Sequence, residues 1–300
     1  MEAVKRDQVT KTNPLVQASY FLSANEMKLI GLAIVHARET GLGISADKPL
    51  TIAALDFAAK FNVAERTAYD DLKTACKTLF DRQATYEDVH PETGKVRKNM
   101  TRWVSGISYV EGAGLVQFTF APQVIPMIAY IDGRIDGYTS YFLDEIAGLK
   151  SAYAIRLFEL LMQWQHTTKQ TPVMPIAEFR GLMGVLGDEY PLIADLKKRV
   201  IDTAIKQINE NTDITVIYEQ KKTGRSITGV LFKFKHKKPV IDHVTPIKPK
   251  LAKGSNPLKG VTDLEAFYKK HKLGVESMDE TFKRLRKEAD EGTFSLSPTN

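Results

Sequence analysis

The sequence predicts an α+β chain in which one unit, a helix, a helix-turn-helix and a β-hairpin, occurs twice in tandem. Three observations carry this reading. Two helical stripes meet at a tight turn within 52–80, the periodicity switches to that of strands after Gln83, and the same succession returns between Ser151 and Phe234. With 300 residues, 43% hydrophobic and 26% charged, the chain is long enough for two cores and has the composition of a folded globular protein.

The first helix is announced by Ser23 and Glu26, spaced as a capping box, and continues through Met27, Ile30, Ile34 and Ala37 until Gly41 and Gly43 end it. After Pro49, Ile52, Leu55, Phe57 and Ala58 suggest a short helix. Asn62 and Glu65 repeat the capping-box spacing ahead of a longer helix running to about Phe80. Its inward stripe is Ala68, Leu72, Ala75, Cys76 and Leu79, with Arg66, Tyr69, Asp70, Lys73 and Lys77 also on its surface. Strands are expected over Gln83 to Val89, Arg102 to Tyr109 and Leu115 to Phe120, the last alternating Val116, Phe118 and Phe120 against Gln117 and Thr119. The turn from His90 to Lys98 carries Lys95, Arg97 and Lys98 and reads as a wing.

The second copy comprises helices over Ser151 to Trp164, Pro175 to Met183 and Pro191 to Asn209. A hairpin then pairs Ile214–Tyr218 with Ile227–Phe234 across Lys221, Lys222, Thr223, Gly224 and Arg225. Each copy thus has the order of a winged-helix domain. The divisions expected are an N-terminal arm over 1–24, a first domain over 25–140 and a second over 141–236. A basic linker rich in Pro and Lys follows over 237–260, and a helical tail over 261–300 carries two further capping boxes, Thr262 with Glu265 and Ser277 with Glu280.

The formal charge of +6 raises the expectation of a polyanionic partner. In the second long helix Ile193, Leu196, Val200, Ala204, Ile205 and Ile208 form the core stripe, leaving Lys197, Lys198, Arg199, Thr203 and Lys206 off it. Basic residues on a single helix usually just face solvent. Here a basic helix is followed twice by a hairpin with a basic glycine turn, which puts donors where a duplex presents a groove and its phosphates. The expected duplex contacts are therefore Lys197, Lys198, Arg199, Thr203, Lys206, Lys221, Lys222 and Arg225 in the second unit. In the first they are Arg66, Tyr69, Lys73, Lys77, Lys95, Arg97 and Lys98. The second helix is expected to dominate, because Asp70 and Asp71 on the first would be repelled by phosphates.

Catalytic and metal sites are not expected, nor a cofactor. The six histidines form no His-apolar-His pair of the kind a nicking enzyme needs, and Gly94-Lys95-Val96 lacks the hydroxyl and first glycine of a phosphate-binding loop. The 132–137 stretch lacks the alternating oxygen ligands of a calcium loop. One cysteine, Cys76, excludes an intramolecular disulfide and fits a cytoplasmic protein, and no signal peptide or membrane segment is expected.

Three stretches resemble the initiator replication proteins of theta-replicating plasmids, the RepE/RepB-like tandem winged-helix family. They are Asn13 to Val16 with Tyr20 and Leu22 to Glu26, then Leu149 to Leu161, then Tyr190 to Asn209 with Gly224-Arg225 and Phe232 to Phe234. The resemblance spans roughly Asn13 to Lys235. It implies binding to iterons in a plasmid origin, with the second domain making the main base contacts. It also implies self-association, with monomers initiating and dimers repressing, and recruitment of the host replication initiator and replicative helicase, with no covalent chemistry. A winged-helix transcriptional regulator without an initiator role is the alternative.

Overall fold

A computed structural model describes residues 7–129 and 137–237 and, in the tail, residues 277, 280, 281, 283–285 and 287. The chain begins with β1 (Gln8–Thr12), α1 (Asn13–Val16), β2 (Ser19–Tyr20) and α2 (Ala24–Thr40). Next come β3 (Leu50–Ala53), α3 (Ala54–Phe61), α4 (Glu65–Leu79), β4 (Gln83–Val89) and β5 (Val96–Arg102). β6 (Val104–Val110), β7 (Leu115–Phe120), α5 (Ile125–Ile128), β8 (Tyr138–Phe142), α6 (Leu143–Ala147) and α7 (Ala152–Met162) follow. The last stretch holds β9 (Met174–Pro175), α8 (Ile176–Leu182), α9 (Ile193–Leu196), a π-helical turn (Lys197–Ile201), α10 (Asp202–Asn211), β10 (Ile214–Thr223) and β11 (Ser226–His236).

Two winged-helix units are superposed on this order. In the first, α2, β3, α3 and α4 are closed by the hairpin β6–β7 in a sheet of order β3-β7-β6. In the second, α7, β9, α8 and the α9–α10 run are closed by β10–β11 in a sheet of order β10-β11-β9. In each case the strand ahead of the helix-turn-helix pairs with the last strand of the hairpin.

This register corrects one expectation. The basic turn between His90 and Lys98 is not the first unit's wing. It belongs to β4–β5, an additional hairpin inserted between α4 and β6 that forms its own sheet, β2-β4-β5. The topological wing is the turn Glu111–Gly114, with no basic residue. Arg97 and Lys98 lie on strand β5 rather than in a turn, and the strand expected from Arg102 is two, broken at Trp103. Strand composition was legible, but which hairpin completes the sheet depends on pairing between distant segments.

Other local readings shift as well. The Ser23–Glu26 capping box forms, each side chain bonding the other's backbone N–H at 3.2 and 2.6 Å, and α2 ends at Gly41 in the left-handed region. Ile52 lies in β3, not in a helix. Asn62 is the left-handed C-cap of α3 at φ +50, and Ala64 takes the N-cap of α4 with no side-chain bond. Asparagine suits either end of a helix, so spacing alone misplaced it. From Gln8 onward the segment expected as an arm is woven into the fold: β1 pairs antiparallel with β8, and Val9 to Thr12, Leu15, Val16 and Ala18 are buried.

One apolar cluster runs through both units, including Leu29, Ile30, Phe57, Leu72, Phe118, Ile155, Phe158, Phe179, Val200 and Phe232. The described residues from Asp7 to Lys237 form one compact unit. Of the tail's two expected capping boxes, Ser277 and Glu280 do bond reciprocally, at 2.8 and 3.4 Å, and Leu285 is buried. Thr262 and Glu265, and the basic linker apart from Lys237, lie outside the described residues.

Candidate nucleic-acid interface

In the second unit the inward residues Leu196, Val200, Ala204 and Ile208 recur every fourth position, and all four are fully buried. An α-helix turns about 100° per residue, so each four-residue step overshoots a full turn by about 40°. The stripe would drift off the core within three steps. The wider π turn at Lys197–Ile201 takes up the overshoot and returns Ile208 to the core. Lys197, Lys198 and Arg199, all within this turn, are exposed.

These cations differ in how they are held. Lys197 donates to Asp202 at 2.8 Å, and this bond, with the Tyr218 phenol and the Asp202 charge, raises its pKa. Arg199 is loosely held, 4.0 Å from Asp195 with its guanidinium 5.9 Å from the Tyr190 ring centre. Lys198 and Lys206 are exposed and make no ion pair among the described residues. Thr203 donates its hydroxyl hydrogen to the Lys198 carbonyl at 3.1 Å, so its oxygen offers an acceptor rather than the expected donor.

The hairpin is tied to that helix through Asn209, whose amide donates to the Val216 carbonyl at 3.1 Å and accepts from the Val216 N–H at 2.6 Å. Lys237 closes the helix's last turn by donating to the Asn209 and Thr212 carbonyls, each at 2.6 Å. At the hairpin tip, Gly224 at φ +60 makes the turn, and Lys221, Lys222 and Arg225 around it are exposed. Lys222 and Arg225 make no ion pair among the described residues. Helix and wing thus each carry exposed cations, Lys198 and Lys206 on the one and Lys222 and Arg225 on the other, that make no ion pair among the described residues.

The first unit looks similar in sequence and different in space. On α4, Arg66 and Lys77 are exposed, but Lys73 is paired with Glu111 in the β6–β7 turn and lies 5.9 Å from the Tyr109 ring centre. The bond from Lys73, its charge, and that of Lys77 hold the Glu111 carboxyl below its usual range. Tyr69 packs against Gly114, whose left-handed conformation at φ +60 lets that turn close onto the helix. On the additional hairpin, Arg97 donates to both oxygens of Asp88 at 2.9 and 2.6 Å, which pulls Asp88 down to about 2. Lys98 is 3.9 Å from Glu87, its register partner across the strands. Lys95 is exposed at the turn.

Sequence reasoning weighed the basic residues and missed the acids that reach them from other elements. It also missed Arg180, which shapes the entry to the reading helix by donating to the Tyr190 and Glu189 carbonyls, at 3.0 and 2.5 Å. Its one signal was a cation in the last turn of a short helix. Among the described residues no group of three His, Cys, Asp or Glu side chains could hold a metal ion, and no helix is long and apolar enough to cross a membrane.

Comparison with known proteins agrees with this architecture. Residues 8–162 match the family described as Initiator Replication protein, WH1, and residues 175–234 match Initiator Rep protein, WH2. Among curated relatives, an uncharacterized 27.6 kDa protein of Escherichia coli is 22% identical over 237 residues, covering 76% of this chain and 96% of its own length. The PI protein of Escherichia coli is 23% identical over 263 residues, covering 78% and 84%. The crystal structure of Pi initiator protein in complex with iteron DNA superposes with a TM-score of 0.59 at 19% identity, covering 79% of this chain and all of that one. Two family matches in tandem, the first running through α7 and the second covering β9 to β11, place this chain in the initiator replication protein family.

Proposed function

We propose that this protein initiates plasmid replication by binding repeated duplex sites, iterons, without covalent chemistry, and that its second unit supplies most of the sequence choice. The observation that carries this reading is the set of exposed cations on the α9–α10 run and at the β10–β11 turn. Lys198, Lys206, Lys222 and Arg225 stand there exposed and unpaired among the described residues. Unneutralised cations release counterions from DNA on binding, and a helix start bearing Arg and Lys is where major-groove readers place base contacts. The fold is shared with an initiator whose solved structure holds iteron DNA, which supports the same class of site here. Recruitment of the host replication initiator and replicative helicase, autorepression by dimers and a cytoplasmic setting follow from family resemblance and belong to the same proposal.

Selection of bound sites from random duplex DNA tests the reading. The expected product is a directly repeated motif of about two helical turns, matching two reading helices on successive grooves. Preference for RNA or single strands overturns it, as does nicking of supercoiled plasmid by the pure protein with magnesium. Local melting of an origin carrying that motif separates an initiator from a transcriptional regulator, which binds without opening the duplex.

A free strand edge is a ready surface for self-association, which belongs to the same proposal. In the first unit β7 pairs on both sides and offers none; the edges of its two three-stranded sheets are β3 and β6, and β2 and β5, and of these β5 exposes Val96 and Met100 at 71% each. Sedimentation over a wide concentration range is expected to reveal a dimer that β5 substitutions such as Met100→Lys weaken. A chain that stays monomeric throughout counts against it.

A further inference from the structure

Arg156 and Glu159, the charged residues of α7, take no part in the cationic surface. Each is 1% exposed, at the centre of a network joining the two winged-helix units. α7 is buried continuously from Ala154 to Met162, with α2 and β8 of the first unit and α10 of the second packed on it.

The Arg156 guanidinium reaches in both directions. Nη2 donates to the Ala18 carbonyl at 2.7 Å in the first unit, and Nε donates to the Leu182 carbonyl at 2.6 Å, at the end of α8 in the second. Nη1 donates to the Tyr20 hydroxyl at 2.9 Å, which donates in turn to Glu159 Oε2 at 3.0 Å. Glu159 Oε1 accepts from Lys11 Nζ at 2.5 Å and from the Tyr141 hydroxyl at 2.7 Å. Beside it, Gly184 at φ +66 brings the helix-turn-helix turn of the second unit directly onto the Tyr20 carbonyl, where a Cβ has no room. Within the second unit, α7 is tied to the far end of the reading helix: Gln207 Oε1 accepts the Lys150 and Ser151 N–H groups at 2.8 and 2.9 Å, ahead of α7.

Apolar packing alone is non-directional and would tolerate small rotations of one unit against the other. A planar guanidinium forked between carbonyls of both units does not, because buried donors cannot lose their acceptors cheaply.

We propose that Arg156, with Glu159 and Tyr20, is a positioning group that locks the two helix-turn-helix units in one register, so that the chain reads a duplex as two half-sites at one fixed spacing. The spacing consequence rests on the duplex-reading function above, whereas the lock itself is a property of the free protein. A merely structural role would lower the folded fraction and weaken all sites alike. The lock instead changes the ratio between sites.

The test uses the full chain with Cys76→Ala and nitroxide labels at Thr74→Cys on α4 and Lys206→Cys on α10. One narrow distance distribution is expected, and Arg156→Met and Tyr20→Phe should each broaden it or add a second maximum. On selected DNA, inserting about 5 base pairs between the half-sites, half a helical turn, should cost the unsubstituted chain about 100-fold in affinity by preventing simultaneous engagement. In the variants that penalty should fall below about tenfold, with weaker binding at the natural spacing. Tyr20→Phe keeps the ring and removes one hydroxyl, so it decides alone if Arg156→Met does not fold. An unchanged narrow distribution in Tyr20→Phe, or an insertion penalty equal to that of the unsubstituted chain, overturns the proposal, as does an unsubstituted chain indifferent to insertion. Absence of duplex binding by the unsubstituted chain would count against the proposed function and leave the distance measurement to decide the lock.

Discussion

Lys73 and Lys198 are each lysines on the second helix of a helix-turn-helix, and they differ in what stands beside them. Glu111 already neutralises Lys73, whereas Lys198 has no ion-pair partner among the described residues. In a salt titration on cognate duplex, Lys198→Ala is expected to reduce the log-log slope by about 0.9, and Lys73→Ala by much less. Equal reductions would show that DNA pulls Lys73 away from Glu111. Arg199→Ala should cost about 1 to 3 kcal/mol on the selected site and relax preference there, since the 4.0 Å contact to Asp195 leaves the guanidinium free to reach a guanine edge. The same loss on scrambled duplex would place specificity elsewhere. Glu159 makes a different prediction. Burial alone would raise its pKa, but the charges of Lys11 and Arg156 and the bonds from Lys11 and Tyr141 outweigh burial and hold it below the usual value. A carboxylate depressed in the folded state contributes stability above its unfolded pKa of about 4.3 and loses it as pH falls through the folded value. Glu159→Gln leaves two buried cations unbalanced and should cost about 3 to 5 kcal/mol at neutral pH. Denaturant midpoints should show that gap narrowing as the solution is acidified below the carboxylate range, whereas a constant gap would mean that the ionised form is not what stabilises the fold.

At the scale of elements, the glycine at a turn decides how closely a hairpin approaches its helix. Gly114 is in the left-handed region and any Cβ built on it overlaps the Tyr69 ring. Gly114→Ala is therefore expected to cost about 1 to 3 kcal/mol from backbone strain, with further loss as Tyr69 shifts. By contrast, Gly94, in the additional hairpin, is left-handed with open space around it, so Gly94→Ala should cost backbone strain alone. Thermal unfolding of the two variants separates these terms, and equal losses would mean that Tyr69 yields without cost. The difference was not legible locally. Both glycines sit in polar turns between strands, and only the pairing of β7 with β3 and β6 places one of them against α4.

For the whole molecule, the expected effect of truncating after Lys237 is weaker binding with site preference retained, because the reading helices and all three hairpins lie before that point. Loss of preference in a binding-site selection would show that the tail helps to read bases. The sequence by itself determined the tandem order and the core stripes, since helix and strand periodicities and turn residues are local properties that survive in one dimension. It also determined the run of exposed cations on the second reading helix, because those residues are adjacent in the chain and the core stripe beside them is regular. Tertiary structure alone decided which hairpin is the first wing, since β6–β7 and β4–β5 are equally good hairpins until β3 selects one of them. It decided as well which cations are free, because Glu111, Asp88 and Glu87 come from other elements to meet Lys73, Arg97 and Lys98. Arg156 and Glu159 show the physical reason most clearly. In the sequence they are an ordinary pair three residues apart on a helix, and only the packing of α7 against the first unit turns them from a solvated pair into a junction whose donors must all find acceptors.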